Sequence, residues 1–174
     1  MTNMRRLLLF RHAKSSWADP ELADFDRPLN GRGRLAAPLM GAWIADRGLT
    51  PDLVLASSSA RTRETWERAA VAFAPPPEME ASDRLYHACP DAMLALAQAA
   101  PDAAAGLMIL GHQPGIGAFC RKLSAPEPPA HCARAFQKFP TAAVAVLEFD
   151  VARWRDVAYG AGRFTHFAVP RELV

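Results

Sequence analysis

Three short apolar runs, each followed by polar side chains, constrain the fold of this chain more than any other feature. Residues 7–10 are four consecutive apolar residues that lead directly into Arg11 and His12. An apolar run without polar alternation predicts a strand buried on both faces, which is typical of a parallel sheet covered by helices. Residues 53–56 and 106–110 form two further runs of this kind. We therefore expect these three runs to form strands of one covered sheet.

Helical patterns follow the first two of these runs and precede the third, and they predict crossover connections. The expected helices span residues 34–46, 60–73, 90–99 and 116–123. In the first helix, Leu35, Leu39 and Trp43 share one face, which we expect to be buried. The last part of the chain predicts strands at residues 143–149, 154–159 and 164–169. The expected fold class is therefore α/β, with three α/β/α layers around a mostly parallel mixed sheet.

Size and composition bound the class of protein. The chain has 174 residues, of which 51% are hydrophobic and 22% charged, and this fits one domain over residues 1–174. Its net charge of +2 predicts no general affinity for nucleic acid. No apolar run approaches the roughly 20 residues of a membrane span, and the N-terminal apolar stretch is too short for a signal peptide. We expect a cytoplasmic protein that binds no membrane and whose three cysteines are reduced and buried.

The apolar runs end in polar groups that the expected topology gathers at one place. These groups are Arg11 and His12 after the first run, Ser57 and Arg61 after the second, and His112 after the third. Parallel strands place their carboxyl ends at one edge of the sheet. Each residue alone has a simpler explanation, such as a structural histidine, a surface arginine or a serine helix cap. Together, two arginines and two histidines fit a site for a tetrahedral dianion such as phosphate.

This set of residues predicts phosphoryl transfer through a histidine. A neutral imidazole flanked by arginines can attack phosphorus in line and hold the group covalently, which is the role we expect for His12. The arginines would stabilise the charge on the transferring group. His112 would stabilise it as a cation or as a hydrogen-bond donor, because a neighbouring phosphate favours protonation of the ring.

Four segments of the chain resemble motifs of the histidine phosphatase superfamily, the phosphoglycerate-mutase-like enzymes. Residues 11–17, Arg-His-Ala-Lys-Ser-Ser-Trp, are similar to the R-H-G-E-S-x-W signature. Residues 28–33 resemble the P-L-[ST]-x-x-G segment, and residues 57–65 resemble the S-x-x-x-R-A-x-x-T helix start. Residues 110–114 resemble the motif of the second histidine. The resemblance implies a phosphoglycerate-mutase-like fold over most of the chain.

The short chain is most similar to the SixA-type phosphohistidine phosphatases, on residues 83–86 and 111–115. This resemblance implies that His12 is the phosphorylated nucleophile and that the enzyme uses no metal and no organic cofactor. It implies a partner that carries phosphohistidine on a protein, or else a small phosphorylated substrate. The residues expected to bind phosphate are Arg11, His12, Ser15, Ser57, Arg61 and His112.

The chain departs from the family pattern at two positions near the nucleophile. Ala13 replaces the signature glycine, and Ala18 stands where many relatives carry an asparagine that contacts phosphate. The pocket is therefore simpler than in those relatives, or Ser15 or Ser57 takes the place of the asparagine.

No carboxylic acid sits in a family motif for a general acid. Glu80 and Asp83 lie in the corresponding part of the sequence, and solvated loop carboxylates are the alternative explanation. Because an alkoxide leaves poorly without a proton donor and an imidazole leaves more readily, a missing acid favours phosphohistidine as substrate. A small-molecule phosphomonoesterase, a phosphoanhydride hydrolase and a non-catalytic phosphate-binding module stay open as alternatives.

Other polar residues give weaker indications. Cations near the expected pocket could form a rim that attracts an acidic substrate or a phosphorylated protein, or could simply be solvated. These cations are Lys14, Arg27, Arg32 and Arg34. His87 near Cys89 would suggest a metal site, but no carboxylate cluster in the sequence supports one.

Overall fold

The computed structural model of the protein describes residues 3–174, and in those residues a single sheet is flanked by helices. The strands are β1 (Arg5–Arg11), β2 (Leu53–Ser57), β3 (Glu78–Ser82), β4 (Gly106–Gly111), β5 (Val144–Phe149) and β6 (Arg163–Ala168). The α-helices are α1 (Gly31–Asp46), α2 (Ala60–Ala69), α3 (Pro90–Gln98), α4 (Gly115–Leu123) and α5 (Ala130–Ala133). Short 3-10 turns join several of these elements. No helix within residues 3–174 combines the length and the apolar character needed to cross a membrane.

The strands form a mixed sheet in the order β3-β2-β4-β1-β5-β6. The first four strands along the chain are parallel where they pair, whereas β5 is antiparallel to both β1 and β6. The pairing of β1 with β4 brings Arg11 opposite Gly111 at the carboxyl ends of the two strands. The expected α/β class with a mostly parallel mixed sheet is therefore confirmed.

Both faces of the sheet are covered, as the apolar runs predicted. Leu7 and Leu9 of β1 are fully buried on one face, in a cluster with apolar residues of α3, α4 and α5. Leu8 and Phe10 are fully buried on the other face, in a cluster with residues of α1 and α2. Alternate side chains of a strand point to opposite faces, so this one apolar run contributes to two cores. The three-layer α/β/α arrangement is confirmed.

The buried face of α1 differs from the expected one. The helix begins at Gly31, capped by the side chain of Asn30, and continues through Pro38. Leu35 is 77% exposed, although we expected it in the core. Gly33 packs so closely on the loop after β1 that an added Cβ would lie 2.2 Å from the carbonyl oxygen of Lys14. This close contact sets the rotation of the helix and leaves Leu35 on the outside.

Residues 154–159 do not form the expected strand. Trp154–Asp156 is a 3-10 turn, and Trp154 is fully buried. Its indole Nε1 donates to the carbonyl oxygen of Ala104 at 2.6 Å, and its backbone N–H donates to Asp102 at 2.9 Å. The side chain therefore anchors this segment to the loop before β4, and β6 pairs with β5 instead. The prediction that all three cysteines are buried is also wrong, because Cys89 is exposed.

Candidate active site

The carboxyl ends of β1 and β4 bring two histidines together. His12 follows β1 and His112 follows β4, and these strands are neighbours in the sheet. The centroids of the two rings lie 5.2 Å apart with an angle of 56° between their planes. Both side chains are buried, with 7% and 3% of their surface exposed. The two histidines predicted from separate strand ends thus share one site.

The contacts of His12 define which ring nitrogen is free. Its Nδ1 donates to the carbonyl oxygen of Ala13 at 2.7 Å, and its backbone N–H donates to Gly111 at 3.0 Å. A neutral imidazole carries one proton, so a protonated Nδ1 leaves a lone pair on Nε2. The Nε atom of Arg61 lies 3.4 Å from that Nε2. Nε2 of His12 is therefore an unprotonated base beside a guanidinium group.

Arg61 connects the two histidines. It lies in the first turn of α2, directly after β2, and is 2% exposed. Its Nη2 donates to Nδ1 of His112 at 3.3 Å, while its Nε points to His12. A guanidinium group in this position offers several N–H donors in a fixed plane, which suits an anion with several equivalent oxygens.

The second histidine is oriented by a serine at the end of β2. Nε2 of His112 lies 2.8 Å from the hydroxyl oxygen of Ser57. Because Arg61 donates to Nδ1, that atom is the acceptor, and Nε2 carries the proton and donates to Ser57. Ser57 is fully buried, so the ring has little freedom to rotate.

Both histidines are held neutral. Burial, which the Arg61 charge reinforces, lowers the pKa of His12 to about 3. Burial also lowers the pKa of His112 to about 3, together with the neighbouring His12 and Arg61. A neutral imidazole is the form that can act as a nucleophile.

A carboxylate that sequence reasoning missed lies in the site. The backbone carbonyl oxygen of Asp24 accepts from Arg61 at 2.7 Å, and its Oδ2 accepts from Nη2 of the same arginine at 3.0 Å. Its carboxylate also accepts from Arg27 at 3.0 Å, from the Tyr86 hydroxyl at 2.5 Å and from His87 at 3.2 Å. Although burial alone would raise it, these hydrogen bonds hold the pKa of Asp24 well below its usual range. Asp24 is therefore an anion that fixes Arg61 in place.

Arg27 is a second residue of the site whose role the sequence did not indicate. The sequence predicted it only as one of four cations that could form a rim around the pocket. It is 6% exposed and donates to the Ser15 hydroxyl at 2.9 Å as well as to Asp24. Its guanidinium carbon lies 3.5 Å from the ring centroid of Trp17. Ser15, which we expected to contact phosphate, is thus bound to a cation of the site.

Arg11 is less closely tied to the site than the other predicted residues. Its Nη1 donates to the carbonyl oxygen of Phe139 at 2.8 Å. Burial lowers the pKa of Arg11, and the charge of Arg61 lowers it further. The charge of Arg11 in turn contributes to the lowered pKa of His12. Arg11 and His12 therefore interact electrostatically, without a direct hydrogen bond between their side chains.

The two candidate general acids lie on the surface. Asp83 is exposed and accepts a hydrogen bond from Ser58, the half-buried residue that follows Ser57. Glu80 is exposed on β3, which is the edge strand of the sheet. Within residues 3–174, neither carboxylate forms a hydrogen bond or ion pair with His12, Arg61 or His112. A role for either as general acid stays a prediction.

His87 lies near the site rather than in a metal cluster. The centroids of His87 and His112 are 4.9 Å apart, and half of the His87 side chain is exposed. Across the described part of the chain, no three His, Cys, Asp or Glu side chains are grouped so that they could hold a metal ion. The nearby aromatic Tyr86 packs against both rings.

Comparisons with known proteins agree with this geometry. The sequence pattern of the histidine phosphatase superfamily (branch 1) matches residues 7–86. An uncharacterized protein of Mycobacterium tuberculosis is 34% identical over 163 residues, which cover 92% of this chain and 99% of that protein.

The fold of this chain is also similar to that of solved structures. A Nakamurella multipartitia protein provisionally named as the phosphohistidine phosphatase SixA superposes with a TM-score of 0.83 at 28% identity, covering 96% of each chain. One from Agrobacterium tumefaciens with the same provisional name gives a TM-score of 0.77 at 31% identity, covering 95% of this chain and 98% of that one. With its paired histidines at the ends of adjacent parallel strands, the chain belongs to the histidine phosphatase superfamily.

Proposed function

We propose that this protein is a metal-independent phosphatase that takes a phosphoryl group from phosphohistidine on a protein and holds it on His12. The observation that carries the proposal is the hydrogen bond from Nδ1 of His12 to the Ala13 carbonyl oxygen. This bond leaves Nε2 unprotonated, and Arg61 stands beside it. The family and the structural neighbours support a phosphatase, and the phosphohistidine substrate is our inference from the site.

In the first half of the reaction, the lone pair on Nε2 of His12 attacks phosphorus. A new nitrogen–phosphorus bond forms to His12 while the bond between phosphorus and the substrate imidazole breaks. The electron pair of the broken bond stays on the substrate ring, whose other nitrogen carries a proton, so the ring leaves as neutral imidazole. Arg61 and Arg27 neutralise the oxygens of the transferring group, and Nε2–H of His112 can leave Ser57 to donate to it. The phosphorylated ring keeps its Nδ1 proton and gains a positive charge, which the Ala13 carbonyl stabilises.

In the second half, water replaces His12 at phosphorus. The oxygen of water bonds to phosphorus while the bond to Nε2 breaks, and the electron pair of that bond returns to the ring. The protons of water leave with the phosphate or pass to solvent. His12 is then again the neutral nucleophile that its low pKa favours.

The substrate class follows from which proton donors the site offers. Asp24 is the carboxylate that binds Arg61, and with its pKa held so low it cannot donate a proton near neutral pH. Positioned general acids contribute roughly 100-fold to 10,000-fold to reactions that need them. A site without one favours a leaving group such as imidazole over an alkoxide.

A panel of substrates tests this proposal. We expect a phosphohistidine peptide to be hydrolysed with a kcat/KM at least about 100-fold above that of an alkyl phosphate such as glycerol 2-phosphate. Equal or faster turnover of the alkyl phosphate, lost in Asp83→Asn or Glu80→Gln, would instead assign a phosphomonoesterase. Binding of phosphate without turnover of any substrate would indicate a non-catalytic module.

A further inference from the structure

Two cavities adjoin the site on the side of Arg11. One has a volume of about 480 Å³ and the other of about 530 Å³, and Arg11 and Lys138 line both. These two neighbouring cavities are here together called the basic groove. The cations that line it are Arg11, Lys14, Arg32, Arg121, Lys138 and Arg171.

Within residues 3–174, cations far outnumber carboxylates along the basic groove. The whole chain carries 20 Lys and Arg against 18 Asp and Glu, yet no Asp or Glu side chain from residues 3–174 lines either cavity. In the same described residues, none of the six cations has a carboxylate of Asp or Glu within 4.0 Å. Glu172, next to Arg171 in the chain, is paired with Arg134 instead. A concave surface lined by one sign of charge concentrates its field on a partner of opposite charge.

The basic groove also has an apolar part, which distinguishes a protein partner from a small anion. Leu35 is 77% exposed at its edge, with Leu39, Val169 and Pro140 also lining the cavity. Protein interfaces combine an apolar centre with a polar rim, whereas an inorganic ion would leave these side chains in water. The exposed cations around Leu35 supply such a rim.

The position of the basic groove relates it to the proposed reaction. Arg11 lines both cavities and immediately precedes His12, so their Cα atoms are about 3.8 Å apart. We therefore expect a protein that inserts a phosphorylated residue into the site to extend over the groove.

We propose that the basic groove docks an acidic surface of the protein substrate around its phosphorylated residue. This inference rests on the proposed function for the identity of the substrate. Carboxylates of the partner would pair with the groove cations, and an apolar side chain would cover Leu35. Charge complementarity of this kind acts mainly on the association rate and on the choice of partner.

Two synthetic phosphohistidine peptides test the docking. In one, every residue that flanks the phosphohistidine on either side is glutamate, and in the other these residues are glutamine. We expect the glutamate peptide to have a kcat/KM at least about tenfold higher, and we expect the ratio to fall as NaCl rises from about 50 mM to about 500 mM. Phosphoramidate is too small to reach the groove. Its kcat/KM therefore serves as the reference to which the values for both peptides are normalised.

Reversing the charge of two groove residues tests whether the basic groove causes the preference for the glutamate peptide. The double variant Arg32→Glu/Arg171→Glu should reduce the preference for the glutamate peptide to about threefold or less. A matched control is Arg153→Glu/Arg155→Glu, which changes the charge equally on an exposed segment after β5, at the end of β1 that lies away from Arg11. The control should keep the full preference.

Binding of the unphosphorylated peptides gives a readout that does not need catalysis. Fluorescence anisotropy should show tighter binding of the glutamate peptide to the wild type, and this difference should be lost in Arg32→Glu/Arg171→Glu. Equal binding of the two peptides, or an unchanged difference in the double variant, would overturn the proposal. Tighter binding of a single-stranded oligonucleotide with the same net charge would also overturn it. If the docking holds but no phosphorylated peptide is hydrolysed, the proposed function fails and the docking surface stands.

Discussion

The hydroxyl group of Thr65 accepts the backbone N–H of Ala13 at 3.0 Å and donates to the backbone carbonyl of Arg61 at 2.6 Å. Thr65 is fully buried in α2. One hydroxyl thus joins the loop that carries His12 to the helix turn that carries Arg61. The distance between the proposed nucleophile and its arginine depends on this link.

Replacing Thr65 by valine should break the link without changing the volume of the side chain. The buried N–H of Ala13 would lose its acceptor, which costs about 1–3 kcal/mol of the free energy of unfolding. Urea denaturation would measure the loss. The control is Thr50→Val at an exposed position, where we expect a change within about 0.5 kcal/mol. Equal stability of Thr65→Val and the wild type would show that the link contributes nothing.

Replacing Ser57 by alanine should slow the reaction without stopping it. His112 would lose the partner of its Nε2–H, and a hydrogen bond of this kind contributes about 0.5–1.5 kcal/mol. We therefore expect kcat/KM to fall roughly threefold to tenfold. Ser58→Ala is the matched control, since Ser58 contacts the surface residue Asp83 and not a histidine. If both variants lose the same activity, Ser57 does not act through His112.

Two glycines in the first turn of α1 should differ sharply on substitution. A Cβ on Gly33 would lie 2.2 Å from the carbonyl oxygen of Lys14, whereas one on Gly31 meets no atom within 4 Å. Gly33→Ala should push away the loop after His12 and lower both activity and thermal stability. Gly31→Ala should leave both unchanged or raise stability slightly, because alanine favours a helix. Thermal unfolding and phosphatase assays of both variants would check this, and similar behaviour of the two would contradict the close packing.

The stability of the protein should fall on acidification from about pH 6.5 towards pH 3. His12 and His112 have their pKa lowered to about 3 by burial, while a histidine in an unfolded chain titrates near 6.5. In this range the unfolded chain binds protons that the folded protein does not, so the free energy of unfolding decreases as pH falls.

The slope of that decrease has a contribution from each histidine. One buried neutral histidine contributes about 1.4 kcal/mol per pH unit within the range. The half-buried His166, whose pKa is also lowered, contributes in the same direction. Asp24, with its low pKa, adds to the loss below about pH 4. Urea denaturation at several pH values should show a smaller slope for His12→Gln than for the wild type, and an unchanged slope would mean that His12 is not held neutral.

Much of the site could be predicted because its members directly follow strands. Uninterrupted apolar runs are local signals, and parallel connections bring their carboxyl ends together whatever the loops do. His12, Arg61 and His112 were therefore predictable as neighbours, and Ser57 with them. The roles that the sequence assigned to these residues stay predictions until they are tested by mutation.

Asp24 and Arg27 were not predictable in the same way. They lie in a loop without periodicity, and the ion pair of Asp24 with Arg61 spans 37 residues, so it depends on the path of that loop. The signal available was the pair of aspartates followed by arginine at residues 24–27, which turn chemistry explains equally well. The predicted strand at residues 154–159 was wrong for a similar reason, because the tertiary hydrogen bond of the Trp154 indole overrides its strand propensity.

The phosphorylated form of the protein provides the most direct test of the central claim. After rapid mixing with a ³²P-labelled phosphohistidine peptide and an alkaline quench, we expect a burst of labelled protein of about one label per molecule. The label should map to His12, disappear in His12→Ala, and still form in His112→Ala, more slowly. A label on another residue, or full turnover by His12→Ala, would contradict the account.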